Sequence, residues 1–396
     1  MNGAQRWRNL GIAAGALTAV TYAAFDVYQW VVAYTSDKFH NDFTFYYAAA
    51  RIGLRSGWPT IYDLNLQQAE LTSMGSAIQI AQLARYISPP PVAWSAVPLT
   101  ALPYPIAYWT WSALLVAALA LTWHMTAPGN GRVRLIHIAA AFAWVPVIYA
   151  LQLGQPGHFV ALGVAACYAL LVAGRPAWAG IALGLLAWKP QLAFLVPAAL
   201  LISGRYRAFG FAAIALGLLT LASVISLGSS GVGAYEARLS FAASVPVNRE
   251  LTLAPLIGNL AVTRVVQAAI GLWALALVYR FRHRGPEWIL VPPLVGGLLA
   301  SPYLHLDDMV MLGLAAWLYL RTNQPGWTWV FVLAVVIAAE GVPLWGPVPV
   351  IAGELASLVL LSVSALRPDD QASNARLHGV QPPPQNVEHP PVLRQR

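Results

Sequence analysis

Long apolar segments with almost no charged residue inside them follow one another along this chain, and they constrain its fold more than any other feature. Hydrophobic residues make up 58% of the 396 residues and charged residues only 10%, whereas a soluble domain carries about 25% charged residues. Backbone left unpaired in lipid is too costly for irregular spans. The alternating pattern of membrane strands is absent, so the sequence predicts an all-α polytopic membrane protein.

The apolar pattern predicts about twelve membrane helices, since a bilayer core of roughly 30 Å needs about 20 apolar residues per helix. Two segments, 177–188 and 190–203, are too short to cross at about 1.5 Å per residue, so we interpret them as a buried hairpin with Lys189 at its tip. Such a tip is expected to line a cavity. The predicted segments are 10–33, 94–122, 135–152, 157–173, 177–188, 190–203, 207–228, 260–281, 287–301, 306–320, 327–341 and 347–365.

Short connections on one side of the predicted membrane carry most of the arginines. By the positive-inside rule this side is cytoplasmic, which places both termini there. The first apolar segment is too long for a signal-peptide core and predicts an uncleaved anchor. The net charge of +8 therefore reports topology and gives little support for nucleic-acid binding. The connecting residues are Arg6, Arg8, Arg132, Arg134, Arg175, Arg205, Arg207, Arg280, Arg282, Arg284, Arg321 and Arg367.

One membrane domain, residues 1–366, and a disordered cytoplasmic tail, residues 367–396, are predicted from composition. Two stretches break the apolar pattern and predict a first outer loop, 34–93, and a second, 229–258. Within the first, residues 43–54 and 64–84 are predicted to form interfacial amphipathic helices. A single cysteine, Cys167, excludes a disulfide framework and a CxxC metal site.

The polar residues that could carry chemistry fall at the ends opposite to the arginines. Asp42 precedes an apolar helical run, so it is either a helix cap or a base for an acceptor hydroxyl. Lys189 is one of two lysines and either reaches the interface or binds a phosphate. His305 lies beside Asp307 and Asp308, for which helix capping is the default role of at least one.

Further polar groups accompany these three. Arg249 in the second outer loop is equally compatible with a loop ion pair and with a donor-phosphate contact. The remaining cavity candidates are Tyr46, Tyr86, Gln155, His158, Gln191 and Asp308. No cofactor is expected, and a divalent ion held by Asp42, His305 and Asp308 stays an open alternative.

The order of several short motifs resembles glycosyltransferase family 87, bacterial polyprenol-phosphate-mannose-dependent mannosyltransferases of the GT-C fold. The likeness extends over about residues 10–365, although the family often has Asn after Gly154-Gln155, where this chain has Pro156. The motifs are Asp42 with Tyr46-Tyr47-Ala48-Ala49, Gly57, Ile61-Tyr62-Asp63, Tyr86 with Pro89-Pro90, Gly154-Gln155, Lys189-Pro190-Gln191, and Ser301-Pro302 with His305 and Asp308.

This resemblance implies a GT-C-like helical bundle in the bacterial inner membrane. It also implies a lipid-phosphate sugar donor, a lipid or glycan acceptor, and an acidic base in the first outer loop, which falls on Asp42. Because a phosphate leaving group already carries its charge well, it needs cations and hydrogen-bond donors more than a second carboxylic acid. Inverting transfer with Asp42 as base and Lys189, Arg249 and His305 at the phosphate is the resulting hypothesis.

Two other classes remain open at this point. A secondary transporter or lipid flippase also lines a membrane cavity with polar residues, although such proteins commonly show repeated halves, and none is visible here. A non-catalytic membrane scaffold would leave the polar clusters scattered. The enzyme hypothesis instead requires Asp42, Lys189 and His305 around one pocket.

Overall fold

The computed structural model describes residues 3–81, 84–322 and 324–366, so the predicted tail, 367–396, lies outside the described residues. The described residues form helices and no strand, which confirms the all-α class. The α-helices are α1 (Gly3–Ser36), α2 (Phe43–Ser56), α3 (Leu64–Ser73), α4 (Pro90–Ala96), α5 (Tyr104–Thr126), α6 (Gly131–Phe142), α7 (Val145–Leu153), α8 (Gly157–Val172), α9 (Pro176–Ala182), α10 (Leu195–Ile202), α11 (Tyr206–Ser244), α12 (Ala254–Ile257), α13 (Leu260–Phe281), α14 (Pro286–Ala300), α15 (Val310–Leu320), α16 (Thr328–Glu340), α17 (Val342–Trp345) and α18 (Val348–Leu366).

Fewer helices can cross a membrane than the sequence predicts. Within the described residues, five are long and apolar enough, namely Asn9–Ser36 of α1 together with α5, α11, α13 and α18, and the bent pair of α6 and α7 makes up to six. Other predicted spans form apolar helices of 10 to 17 residues, among them α8, α14 and α16. The chain is thus an all-helical, multi-pass membrane protein, but twelve full spans are not found.

Prolines account for much of this difference. The span predicted from residue 94 begins at Tyr104, because Pro98 and Pro103 interrupt the preceding stretch and divide it into α4 and a separate 3₁₀ turn. Helices α6 and α7 meet at an angle of 59°. At this bend the backbone N–H of Val145 donates to the carboxylate of Glu340 at 2.7 Å, which replaces the helical acceptor that it lacks.

The first long connection is folded rather than peripheral. Helix α2 forms where it is predicted, but its first eight residues are buried, so it is a core helix and not an amphipathic one on a lipid surface. Helix α3 ends at Ser73 instead of near residue 84, and Gly75 turns the chain with a φ of 79°. Helix α2 therefore lies inside the protein, whereas α3 buries only one face, with Gln67, Glu70 and Leu71.

Helix α11 is bent at Gly228, whose φ of 60° and ψ of −175° are not helical. Beyond this bend, the helix packs on the first long connection. A Cβ added to Gly231 would come within 2.9 Å of Pro59 Cα, so only a glycine allows the two backbones to approach so closely. We call the half of the molecule that carries α2 and this part of α11 the site end.

The opposite end is held by a different set of charges. The Arg321 Nε donates to the Tyr168 hydroxyl at 2.9 Å, and this hydroxyl donates to Glu287 Oε1 at 2.7 Å. A second guanidinium nitrogen of Arg321 donates to the Ala127 carbonyl at 3.2 Å. This network connects the far ends of α5, α8, α14 and α15, and so fixes the helices whose other ends form the site.

Candidate functional site

The site begins where α2 begins. Asn41 Oδ1 accepts hydrogen bonds from the Thr44 backbone N–H and from the Tyr104 hydroxyl, both at 3.1 Å. The Asp42 side chain makes no capping hydrogen bond to the helix, although an N-cap was one of its two possible roles. Its backbone N–H donates to the Leu153 carbonyl at 2.9 Å. The backbone at Asp42 is therefore fixed to the end of α7, and its carboxylate is free of the capping role.

A single amide connects Asp42 with Lys189. The Gln155 Nε2 donates a short hydrogen bond to Asp42 Oδ2, and the Gln155 Oε1 accepts from Lys189 Nζ at 2.9 Å. The Tyr46 hydroxyl reaches the same Gln155 oxygen at 3.4 Å. Because an amide can donate only from nitrogen and accept only at oxygen, these neighbours determine its orientation.

Lys189 lies at the break between two 3₁₀ turns, Leu183–Trp188 and Pro190–Leu192, at the tip of the predicted hairpin. Its ammonium forms ion pairs with Asp307 Oδ2 at 2.7 Å and with Asp308 Oδ1. Together with Gln155, these carboxylates provide three acceptors around a group that has three N–H donors. Lys189 is buried, so its charge is neutralised locally and not by solvent.

Asp308 also fulfils the predicted capping role. Its Oδ2 accepts from the His305 backbone N–H at 2.9 Å, in a reciprocal arrangement at the start of the 3₁₀ turn Leu306–Met309. The His305 Nε2 lies 2.9 Å from the Tyr303 hydroxyl. Burial lowers the pKa of His305 from its usual value, which favours the neutral ring.

Arg249 approaches this segment from the connection between α11 and α12. The Leu304 backbone N–H donates to the Asn248 carbonyl at 3.2 Å, which joins the Arg249 turn to the His305 segment. The Arg249 Nε is buried without a hydrogen-bond partner in the described part of the chain. A buried guanidinium nitrogen without an acceptor is a group that an anion could satisfy.

The remaining candidates occupy the surroundings of this network. Both ring nitrogens of the buried His158 lack a hydrogen-bond partner among the described residues. The Tyr86 hydroxyl donates to the Pro89 carbonyl at 2.7 Å, so it holds the proline turn. Gln191 is partly exposed on the turn after Lys189, and Tyr46 is buried with its ring against Tyr86.

Burial and charge set the protonation of Asp42. The pKa of its carboxyl is raised to about 6, because burial and the negative charge of Asp307 raise it by more than Lys189 and the Gln155 hydrogen bond lower it. A carboxyl with this pKa is mainly ionised at neutral pH and is a stronger base than an ordinary aspartate. The arrangement can therefore accept a proton from a hydroxyl placed beside Asp42.

The network thus brings together Asp42, Tyr46, Gln155, Lys189 and Asp308, with His305 attached through Asp308. It also contains Asp307, to which sequence reasoning gave only a helix-capping role. The available signal was the isolated lysine in an apolar hairpin, because a buried ammonium needs carboxylates near it. No group of three His, Cys, Asp or Glu side chains suited to a metal ion occurs within the described ranges.

Comparison with known proteins gives one clear result. The model of glycosyltransferase family 87 matches residues 86–365, which is most of the chain. The matched range includes Gln155, Lys189, Asp307 and Asp308 but not Asp42, so the role of Asp42 depends on geometry alone. The chain matches no curated protein and no solved structure.

Proposed function

The chain belongs to glycosyltransferase family 87, and from this premise we propose that it transfers a sugar, with mannose the first to be tested, from a polyprenyl-phosphate donor to a lipid or glycan acceptor. The proposed location is the extracytoplasmic side of a bacterial inner membrane. The observation that carries the proposal is the Asp42 carboxylate, which is held by Gln155 and does not cap its helix.

The proposed step is an inverting displacement. Asp42 accepts the proton of an acceptor hydroxyl while the hydroxyl oxygen forms a bond to the anomeric carbon. The bond from that carbon to the phosphate oxygen breaks, and its electron pair leaves with the polyprenyl phosphate. One base is sufficient because the phosphate needs no proton to depart, unlike the alkoxide released by a glycoside hydrolase.

The donor phosphate is proposed to lie on the side of Arg249 and His305. Lys189, which was also expected at the phosphate, is surrounded by Asp307, Asp308 and Gln155. A phosphate could contact Lys189 directly only by displacing a carboxylate, and Asp42, Asp307 and Asp308 together would repel it. We therefore propose that Lys189 holds the carboxylates and Gln155 in place, while Arg249, whose buried Nε has no hydrogen-bond partner among the described residues, stabilises the leaving group.

The variant Asp42→Asn tests this proposal because it keeps the shape of the side chain and removes the base. We expect transfer from polyprenyl-phosphate-mannose to fall by roughly 10²- to 10⁴-fold, the usual contribution of a positioned base. The matched control is Asp37→Asn, since Asp37 is exposed on the same connection and an asparagine oxygen can still accept from the Phe39 backbone N–H as Asp37 does.

Purified proteins would be compared in detergent or nanodiscs by the amount of labelled product lipid. Full activity in a folded Asp42→Asn protein would refute the base assignment. If the unsubstituted protein used a nucleotide sugar but no polyprenyl-phosphate sugar, the donor assignment would be wrong while the family membership would stand.

A further inference from the structure

Two arginines outside the Asp42 network meet at the site end from distant parts of the chain. The Arg85 guanidinium lies over the Phe241 ring, 4.0 Å from its centroid. Phe241 follows Arg238 by three residues on α11, so the two side chains occupy the same face of that helix. Arg85 and Arg238 are therefore neighbours.

Stacked aromatic rings hold the segments of Arg85 and Arg238 next to each other. Tyr62 stacks on Tyr86 with ring centroids 5.4 Å apart and on Tyr235 at 4.8 Å. Tyr86 adjoins Arg85 in sequence, and Tyr235 lies one helical turn before Arg238. Because one ring packs against both segments, the two guanidinium groups stay close in spite of their like charges.

No carboxylate offsets this pair in the described part of the chain. The ion pairs there involve Arg51, Arg55 and Lys189 instead. The Arg238 Nε is buried and has no hydrogen-bond partner among the residues that the structure describes, while the Arg85 Nε donates to the Ala81 carbonyl at 2.8 Å. Burial, and to a smaller extent the positive charge of Arg238, lower the pKa of Arg85, which is consistent with two guanidinium groups lying near each other.

The surroundings indicate where an anion would come from. Leu239, next to Arg238, has 45% of its surface exposed, and both residues lie on the less apolar part of α11 that follows the Gly228 bend. An anion bound here would thus have guanidinium groups on one side and apolar surface beside it. A lipid headgroup at the level of the interface meets both conditions, because its phosphate is joined to acyl chains.

We propose that Arg85 and Arg238 form a binding site for the phosphate of an anionic phospholipid of the bilayer. Two guanidinium groups provide planar pairs of donors that match phosphate oxygens. The bound headgroup would join the segment before Tyr86 to α11. It would thereby stabilise the packed rings of Tyr235, Tyr62, Tyr86 and Tyr46. This site is separate from the Asp42 network and does not depend on the proposed transfer.

The test is lipid retention by native mass spectrometry, with phosphatidylglycerol as the probe. Arg85→Gln and Arg238→Gln should each weaken binding of the most tightly held phosphatidylglycerol by roughly tenfold, which is about 1.4 kcal/mol, because each variant loses charge-assisted hydrogen bonds to the phosphate. Arg238→Lys keeps the charge but loses the planar pair of donors. Its affinity for phosphatidylglycerol should therefore lie between those of the unsubstituted protein and Arg238→Gln. The matched control is Arg264→Gln, because Arg264 is an exposed arginine on α13.

Three results would overturn the proposal. Undiminished retention by both glutamine variants would exclude the site. An equal loss in Arg264→Gln would show only general attraction between arginines and anionic lipid. If inorganic phosphate in phosphatidylcholine nanodiscs raised the thermal stability of the unsubstituted protein as much as phosphatidylglycerol does, the ligand would be free phosphate and not a lipid headgroup.

Discussion

At the scale of single residues, Gln155 connects the opposite charges of the site. Its one amide group donates to the Asp42 carboxylate and accepts from the Lys189 ammonium. Hydrogen bonds to charged groups contribute about 1.5–3 kcal/mol, roughly twice as much as neutral ones. The position and the basicity of Asp42 therefore depend on a residue 113 positions further along the chain.

The pH dependence of transfer should report the ionisation of Asp42. Burial and the negative charge of Asp307 raise the pKa of Asp42 to about 6. Only the ionised form can accept a proton, so we expect activity to be low below this pH and to rise with pH through about 6. Initial rates measured at constant ionic strength from about pH 4.5 to 8 would give this profile.

The variant Gln155→Leu provides the internal check. Loss of the hydrogen bond from Gln155 removes an interaction that lowers the pKa of Asp42, so the rising limb should move to higher pH. Gln68→Leu serves as the control, because Gln68 bonds to Ile78 and Ile80 and not to the site. If the rising part of the pH–activity profile did not move in Gln155→Leu, Gln155 would not influence the pKa of Asp42.

At the scale of structural elements, the turn between α7 and α8 holds the site together. Gly154 ends α7 in the left-handed region, with a φ of 75°. Its carbonyl accepts from the Trp111 indole N–H at 2.8 Å, and the preceding carbonyl, that of Leu153, accepts from the Asp42 backbone N–H. One glycine turn thus positions both Gln155 and the start of α2.

Gly154→Ala should damage both stability and activity. A Cβ at Gly154 would lie 2.9 Å from Phe43 Cβ, next to Asp42. Left-handed backbone with a Cβ costs about 1–2 kcal/mol, and crowding adds roughly 1–3 kcal/mol. We expect a clear fall in the thermal unfolding temperature in detergent, together with loss of transfer.

Gly174→Ala is the matched control for this substitution. Gly174 has a similar φ of 68°, but a Cβ there would meet nothing within 4 Å. Gly174→Ala should therefore lose only the roughly 1–2 kcal/mol of unfolding free energy that a Cβ in the left-handed region costs. It should keep full activity once folded. Equal effects of the two substitutions would mean that the contact with Phe43 is unimportant.

At the scale of the whole molecule, charge is divided between the two ends of the helical bundle. Asp42, Lys189, Asp307 and Asp308 lie together at the site end, while Arg321 with Tyr168 and Glu287 holds the opposite end. The short connections at that opposite end, among them those with Arg175 and Arg321, carry the arginines that the positive-inside rule places in the cytoplasm, whereas the arginines of the site end lie in long connections. This distribution predicts that the site end faces away from the cytoplasm.

Cysteine labelling in intact cells would measure this orientation. The native Cys167 is buried and should remain unlabelled, so Asp37→Cys and Arg175→Cys can each be tested on this background. Both positions are exposed, Asp37 near the site and Arg175 after α8. A membrane-impermeant maleimide should label Asp37→Cys directly and Arg175→Cys only after the membrane is opened. The reverse pattern would refute the orientation.

The sequence by itself determined the helical membrane class and the residues where polar chemistry could occur. Composition and the lengths of apolar segments are local properties, and a charged group such as Lys189 is conspicuous in an apolar hairpin. The family resemblance could also be recognised from short motifs, and the family match over residues 86–365 confirms it.

The tertiary structure alone decided which groups meet. Lys189 faces Asp307 from 118 positions away, and Asn41 rather than Asp42 caps α2. Prolines divide or bend several predicted spans, and packing against neighbouring helices can satisfy the backbone there where lipid cannot. Such pairings depend on how distant helices pack, and a pattern of neighbouring residues does not contain that information.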